Sequence, residues 1–152
     1  MPRMHTSSET PPTPTDLLFL GAHCRVLADS ASTGGRYGLV DMIEVPAGDM
    51  PPLHIHHSED EGFLLLDGTL SLFLPGREIR LEPGEFVLAP RGVPHAYRVG
   101  DPPARFLVLS TTGGFEQFVR EVSELDELTP ELLAATAATR DIEILAPPGT
   151  LP

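Results

Sequence analysis

Between Phe19 and Leu109 the chain alternates short apolar runs with turn residues, and the runs are too short and too closely spaced for helices. The candidate strands are Tyr37–Val45, Leu53–His57, Glu61–Asp67, Thr69–Leu74, Arg77–Leu81, Glu85–Ala89, His95–Val99 and Arg105–Ser110. Turn chemistry separates them, at Asp67-Gly68, Pro75-Gly76, Pro83-Gly84 and Arg91-Gly92. Asp67-Gly68 between two apolar runs predicts a hairpin, because a type I′ turn needs positive φ and glycine adopts it without strain. Eight short strands with no helix between them predict an all-β fold, either a closed barrel or a two-sheet jelly roll.

The period changes after Gly113-Gly114. Phe115, Phe118, Val119, Val122 and Leu125 recur three and four apart, with Glu116, Arg120, Glu121 and Glu124 on the other side, as an amphipathic helix requires. A second helix is predicted to start with Thr129 as N-cap and Pro130 as its first residue, and to run towards Arg140. These short C-terminal α-helices are expected to pack on the barrel, with Ile142–Leu145 as a last edge strand. The expected organisation is a disordered leader over residues 1–15, a barrel over 16–112 and a helical segment over 113–152. The leader, MPRMHTSSETPPTPT, is rich in Pro, Ser and Thr and lacks the apolar segment of a secretory signal.

Charge and cysteine content narrow the partners. The 152 residues carry 22 acidic against 10 basic side chains, a net charge of -12 that repels nucleic acid and anionic lipid. No apolar run approaches the ~18 residues of a membrane span, so neither nucleic acid nor membrane is expected. Cys24 is the only cysteine, which excludes an intrachain disulfide and makes a cytoplasmic location the expectation.

Candidate chemistry is concentrated in PAGDMPPLHIHHSEDEGFLLLDG, Pro46 to Gly68. His54 and His56 stand two apart in a predicted strand, where residues i and i+2 share a face, so both imidazoles can reach one ion. Glu61 opens the next strand, and a hairpin-like return is expected to bring its carboxylate to the same ion, with Phe63 and Leu65 on its face. Nitrogen and oxygen donors of this kind suit zinc, iron, manganese, cobalt or nickel better than calcium. His57 has the opposite parity and should face outward. Glu59 and Asp60 are expected to be solvated turn residues, with Glu59 the reserve ligand should the turn register differ. Thr111–Gly114, ahead of the first helix, reads as a plain helix start more readily than as an anion cradle.

His95 follows a Pro-x-Gly turn in PRGVPHAYRV, and the two segments together resemble the cupin superfamily. Its first motif, G-x5-H-x-H-x4-E-x6-G, is matched by Gly48, His54, His56, Glu61 and Gly68. Its second, G-x5-P-x-G-x2-H-x3-N, is matched by Gly84, Pro90, Gly92 and His95, with Val99 in place of the Asn, which is not a metal ligand in the family. The chain is similar to small quercetin-dioxygenase-like members. The resemblance implies a double-stranded β-helix, a jelly-roll barrel holding one divalent transition metal (Fe, Ni, Mn, Co or Zn) on His54, His56, Glu61 and His95. Val93 and Tyr97 are expected to share the face of His95, and with Met42, Phe63 and Leu65 they would form an apolar pocket for a small-molecule substrate.

The implied activity is a metal-dependent dioxygenase acting with O2 on a small enol or flavonol-like phenol, Glu61 taking the substrate proton. The alternatives are a metal-assisted cyclase, isomerase or lyase acting on a polyketide or keto acid, with Glu61 or Tyr97 moving the proton, and a non-catalytic small-molecule-binding cupin. Oxygen consumption separates the first two. The family commonly dimerises through N-terminal strands, so a homodimer is expected, with the apolar arm Leu17–Ala28 adding to a sheet edge.

Overall fold

The computed structural model describes residues 16–152, and the stretch 1–15, expected to be a leader, lies outside the described residues. The strands are β1 (Asp16–Phe19), β2 (Ala22–Ala28), β3 (Gly38–Val45), β4 (Leu53–His56), β5 (Asp60–Asp67), β6 (Leu70–Leu74), β7 (Arg77–Leu81), β8 (Phe86–Ala89), β9 (Ala96–Val99), β10 (Ala104–Thr111) and β11 (Ile142–Ala146). The helices are α1 (Ser30–Thr33), α2 (Phe115–Ser123) and α3 (Pro130–Ala138). No helix among the described residues is long and apolar enough to cross a membrane.

Every strand pairing is antiparallel. One sheet has the order β1-β2-β3-β10-β5-β8. Opposite it lie the ribbon β11-β4 and the sheet β7-β6-β9, joined by a single bridge between His54 and His95. The two faces close on Val40, Met42, Phe63, Leu65, Leu70, Leu72, Val99, Phe106 and Val108, each no more than 2% exposed. Burying a side chain of this size stabilises the fold by about 1.5–3 kcal/mol, so the jelly roll rests on these inward positions.

Alternation placed Met42, Phe63 and Leu65 inward, as they are, but the paths between strands differ from expectation. Asp67-Gly68 does not join a hairpin: β5 pairs with β10 and β8, whereas β6 pairs with β7 and β9. Gly68 does hold positive φ (85°), and it turns the chain from one sheet to the other, hard against the backbone of Ala104. A two-residue hairpin loop lies instead at Pro75-Gly76, where Leu74 faces Arg77 across β6 and β7. The β4-to-β5 connection likewise crosses between sheets, so Glu61 meets the histidines across the barrel interior and not by strand pairing. The arm Leu17–Ala28 folds as the β1–β2 hairpin and adds to the chain's own β3.

The C-terminal helices cover one end of this barrel. Helix α2 buries Phe115, Phe118, Val119 and Val122, and α3 buries Leu133 and Ala137. Thr129 caps α3 by accepting from the Leu132 N–H at 3.1 Å, with Pro130 in the first turn. Glu116 departs from its expected polar face and is fully buried. It accepts from Ser30 N–H (3.1 Å), Ser30 Oγ (2.8 Å) and Gly114 N–H (2.8 Å), which together take the place of water.

Candidate metal centre

Three segments carry the four candidate ligands, and backbone hydrogen bonds lock them together. The His54 N–H donates to His95 O (3.2 Å) and the His95 N–H to His54 O (2.9 Å), so these two residues face each other as one antiparallel pair. The Gly92 N–H donates to His56 O (2.8 Å), which ties the turn before His95 to the end of β4. Asp60 accepts from the Arg91 N–H (2.9 Å) and from the Arg91 guanidinium, pinning that turn to the start of β5, where Glu61 sits.

The side chains converge from these fixed points. One donor atom from each of His54, His56, Glu61 and His95 lies within 4.8 Å of the other three. Glu61 Oε2 is 2.8 Å from His95 Nε2, 2.9 Å from His56 Nε2 and 4.0 Å from His54 Nε2. Each imidazole has an oxygen at its other nitrogen: Pro52 O at 2.7 Å from His54 Nδ1, Glu59 Oε1 at 2.9 Å from His56 Nδ1 and Val93 O at 3.4 Å from His95 Nδ1. These oxygens can each accept from an Nδ1–H, and with the protons held there Nε2 of all three rings would be free to ligate an ion at the common point, where His95 Nε2 stands 2.8 Å from Glu61 Oε2. His56 Nε2 is buried and has no hydrogen-bond partner, because Glu61 Oε2 stands close but off the line of a hydrogen bond. A cation between the four donors would satisfy that orphaned atom, and the N3O set fits a divalent transition ion.

Electrostatics favours a positive charge at the same point. Burial opposes a charge on His56, but the Glu61 and Glu59 carboxylates outweigh it and push this imidazole up to about 10. Burial, then repulsion by His95 and His56, pulls His54 down to about 3. Burial works to raise Glu61, yet His56 and His95 beside it hold the carboxyl well below its ordinary range. A buried carboxylate that stays ionised among imidazoles demands a compensating cation, whether a proton or a metal.

The family model described as a cupin domain matches residues 41–110, which span all four ligands. The chain is a member of the cupin superfamily. This cupin is 30% identical over 131 residues to quercetin 2,3-dioxygenase of Bacillus subtilis, an alignment covering 79% of this chain and 39% of that protein. It is 33% identical over 86 residues to the tetracenomycin polyketide synthase protein TcmJ of Streptomyces glaucescens, covering 56% of this chain and 58% of the other. The chain thus spans less than two thirds of either relative's length. Among solved structures, the polyketide cyclase RemF from Streptomyces resistomycificus superimposes with a TM-score of 0.54 at 28% identity, covering 74% of this chain and 80% of that one.

Beside the ligands the cupin encloses a cavity of about 40 Å³. Met42, Phe63 and Tyr97, all expected in the pocket, line it, and so do Phe106, Phe115 and Leu133. Leu65 does not: it shares the inward face of Glu61 and Phe63 but lies two residues further down β5, sealed in the core opposite Phe106. Val93 does not either. It closes a turn, its N–H on Pro90 O at 3.3 Å, and Pro94 follows with no N–H for a ladder, so the strand parity of His95 and Tyr97 stops short of it.

Burial, with the charges of Asp49 and Glu61 adding, pushes the Tyr97 phenol up, so the group keeps its proton at neutral pH and can donate a hydrogen bond. His57 faces outward as expected and meets Glu143 at 2.9 Å. Glu59 was missed. Its carboxylate is 4% exposed, and it joins His56 Nδ1 to the Phe115 N–H (3.3 Å) at the start of α2. At the start of α2 the N–H groups of Gly114 and Phe115 are thus taken by the protein's own Glu116 and Glu59 and not by an anion. The signal was the i, i+3 spacing from His56, which matters only once the turn folds inward.

Proposed function

We propose that this cupin is a metal-dependent dioxygenase acting on a small enol or phenolic, flavonol-like substrate, with His54, His56, Glu61 and His95 as the metal ligands. The observation that carries the reading is the convergence of three imidazoles and one carboxylate, three of the four on the wall of an aromatic cavity. The similarity to quercetin 2,3-dioxygenase, which extends over 79% of the chain, supports the choice of reaction. A bound divalent ion would supply Lewis acidity towards a substrate oxygen.

The protein's part follows from the residues around that point. Glu61 is the one carboxylate among the four donors that would hold the ion, and it is placed to take the proton of an incoming hydroxyl. Tyr97 offers an O–H as hydrogen-bond donor to a substrate oxygen. Phe63, Phe106 and Phe115 exclude water from the reacting edge.

A second reading, a metal-assisted cyclase acting on a polyketide, is favoured by the similarities to TcmJ and to RemF. It uses the same ligands without O2. The test is metal analysis of the isolated protein together with an oxygen electrode and a panel of flavonols and diketones. Stoichiometric metal and substrate-dependent O2 uptake, both lost in His56→Ala, is the expected result. Substrate turnover without O2 uptake would select the cyclase, and a metal-free protein unchanged by His56→Ala would overturn both readings.

A further inference from the structure

Two spaces of very different size meet at the metal centre. The inner cavity of about 40 Å³ has room for one or two waters, whereas a cavity that holds benzene is ~150 Å³. It therefore admits a hydroxyl or keto oxygen with its carbon, but no ring. Directly outside lies an open groove of about 590 Å³, bounded by the start of α3, the end of β11 with the prolines after it, and the loop before β4. Leu20, Pro51, Pro52, Tyr97, Leu133 and Ile144 line both spaces, so the groove continues into the cavity through this shared wall.

We propose that the outer groove binds the body of the substrate, and that the substrate is a planar, polycyclic, oxygen-bearing molecule of which only the hydroxyl or keto edge enters the inner cavity. This rests on the metal-centre reading above and adds to it where the bulk of the molecule lies. The groove's chemistry selects the occupant. Although the chain carries a net charge of -12, Asp49 is, among the described residues, the one charged side chain lining the groove, and none of the described basic residues lines it. A phosphate- or coenzyme-A-bearing ligand would find no counter-charge there.

Pro51, Pro52, Pro130, Pro147 and Pro148 supply rigid walls that lose little freedom on binding, which suits a flat ring system. Leu128 and Leu145, 50% and 41% exposed, complete an apolar surface open to solvent. Leu20 adds an independent sign. It holds φ 49° ahead of Gly21 at φ 80° in the β1–β2 turn, where Asn-Gly is the ordinary pair, and its side chain lines both spaces.

The experiment uses full-length protein loaded with Co(II), and two probes: azide, small enough for the inner cavity and read by the Co(II) absorption spectrum, and quercetin, read by fluorescence titration. Leu128→Glu and Leu145→Glu place a carboxylate in the groove at exposed positions, and unchanged melting temperatures verify their folds. Each variant is expected to weaken quercetin at least tenfold and to leave azide affinity within twofold. Equal quercetin affinity in wild type and both variants overturns the proposal, as does wild-type protein that binds azide but not quercetin.

Two further results would assign the groove to another occupant and overturn it as well. One is displacement of quercetin by a synthetic peptide of residues 1–15, and the other is a dimer that becomes monomeric in Leu145→Glu. A Co(II) spectrum indifferent to azide would instead count against the metal centre. Quercetin titration of the metal-free protein and its variants still decides the groove in that case.

Discussion

Replacing Glu59 by alanine removes the acceptor of two buried N–H groups, His56 Nδ1–H at 2.9 Å and the Phe115 N–H at 3.3 Å. A buried donor left without a partner costs about 1–3 kcal/mol, so the metal-free protein should lose roughly 2–6 kcal/mol of stability. Loss of a residue that orients a ligand costs about 10–100-fold in metal affinity, and His56 released at Nδ1 is free to turn or to move its proton to Nε2. Glu59→Gln separates the two effects. Its single amide oxygen can face His56 or Phe115 but not both, since the carboxylate uses Oε1 for one and Oε2 for the other. The glutamine variant should therefore recover about half of the stability while its metal affinity stays below wild type. Urea unfolding of metal-free protein measures the first quantity, and competition for Zn(II) against a chromogenic chelator the second. Metal affinity within twofold of wild type in Glu59→Ala would show that Glu59 does not position His56.

Chelation of the ion should lower the melting temperature by roughly 5–10 °C when the ion is initially at about a hundred times its Kd, since ligation then contributes ~2.7 kcal/mol; scanning calorimetry with and without chelator checks this. Two glycines of the six-stranded sheet should respond to alanine with very different costs. At Gly38 a Cβ would overlap the buried Glu116 carboxylate and displace it, costing about 3 kcal/mol or more. At Gly62 a Cβ would come within 2.6 Å of the Phe86 ring, which is exposed and can swing away, for a cost below about 1 kcal/mol in the same urea assay. Asp29 is held below its ordinary value of 3.8 by the Ser32 N–H and by Arg120 at 2.9 Å. Its carboxylate therefore contributes stability that is fully present above pH 3.8 and is lost as pH falls through the lower native value. Asn caps a helix as well as Asp does, so the stability gap between wild type and Asp29→Asn should be present at pH 6 and shrink towards pH 2. A gap that is constant with pH would refute the assignment.

Much of the barrel was legible because strand alternation is local. The period of two placed His54 and His56 on one face and Phe63 and Leu65 on the face of Glu61, and the motif spacing brought His95 into the set without any knowledge of pairing. The helix period and the Thr129-Pro130 cap were equally local, and α2 and α3 start where they predict. Local patterns also set the limits. Asp67-Gly68 encodes a backbone with positive φ, which the chain adopts, but whether the flanking strands pair depends on β10, some forty residues away. Glu59 and Glu116 look solvated in sequence because a carboxylate beside polar neighbours ordinarily is. Each is buried because donors distant in the chain, the N–H of Phe115 for one and Ser30 for the other, replace the water it gives up. The sequence by itself therefore determined which face each ligand takes and which ion chemistry the four can support. Only the tertiary structure decided that they meet across two sheets, which carboxylate steadies His56, and how little room is left beside them, because those depend on contacts between segments that no local period connects.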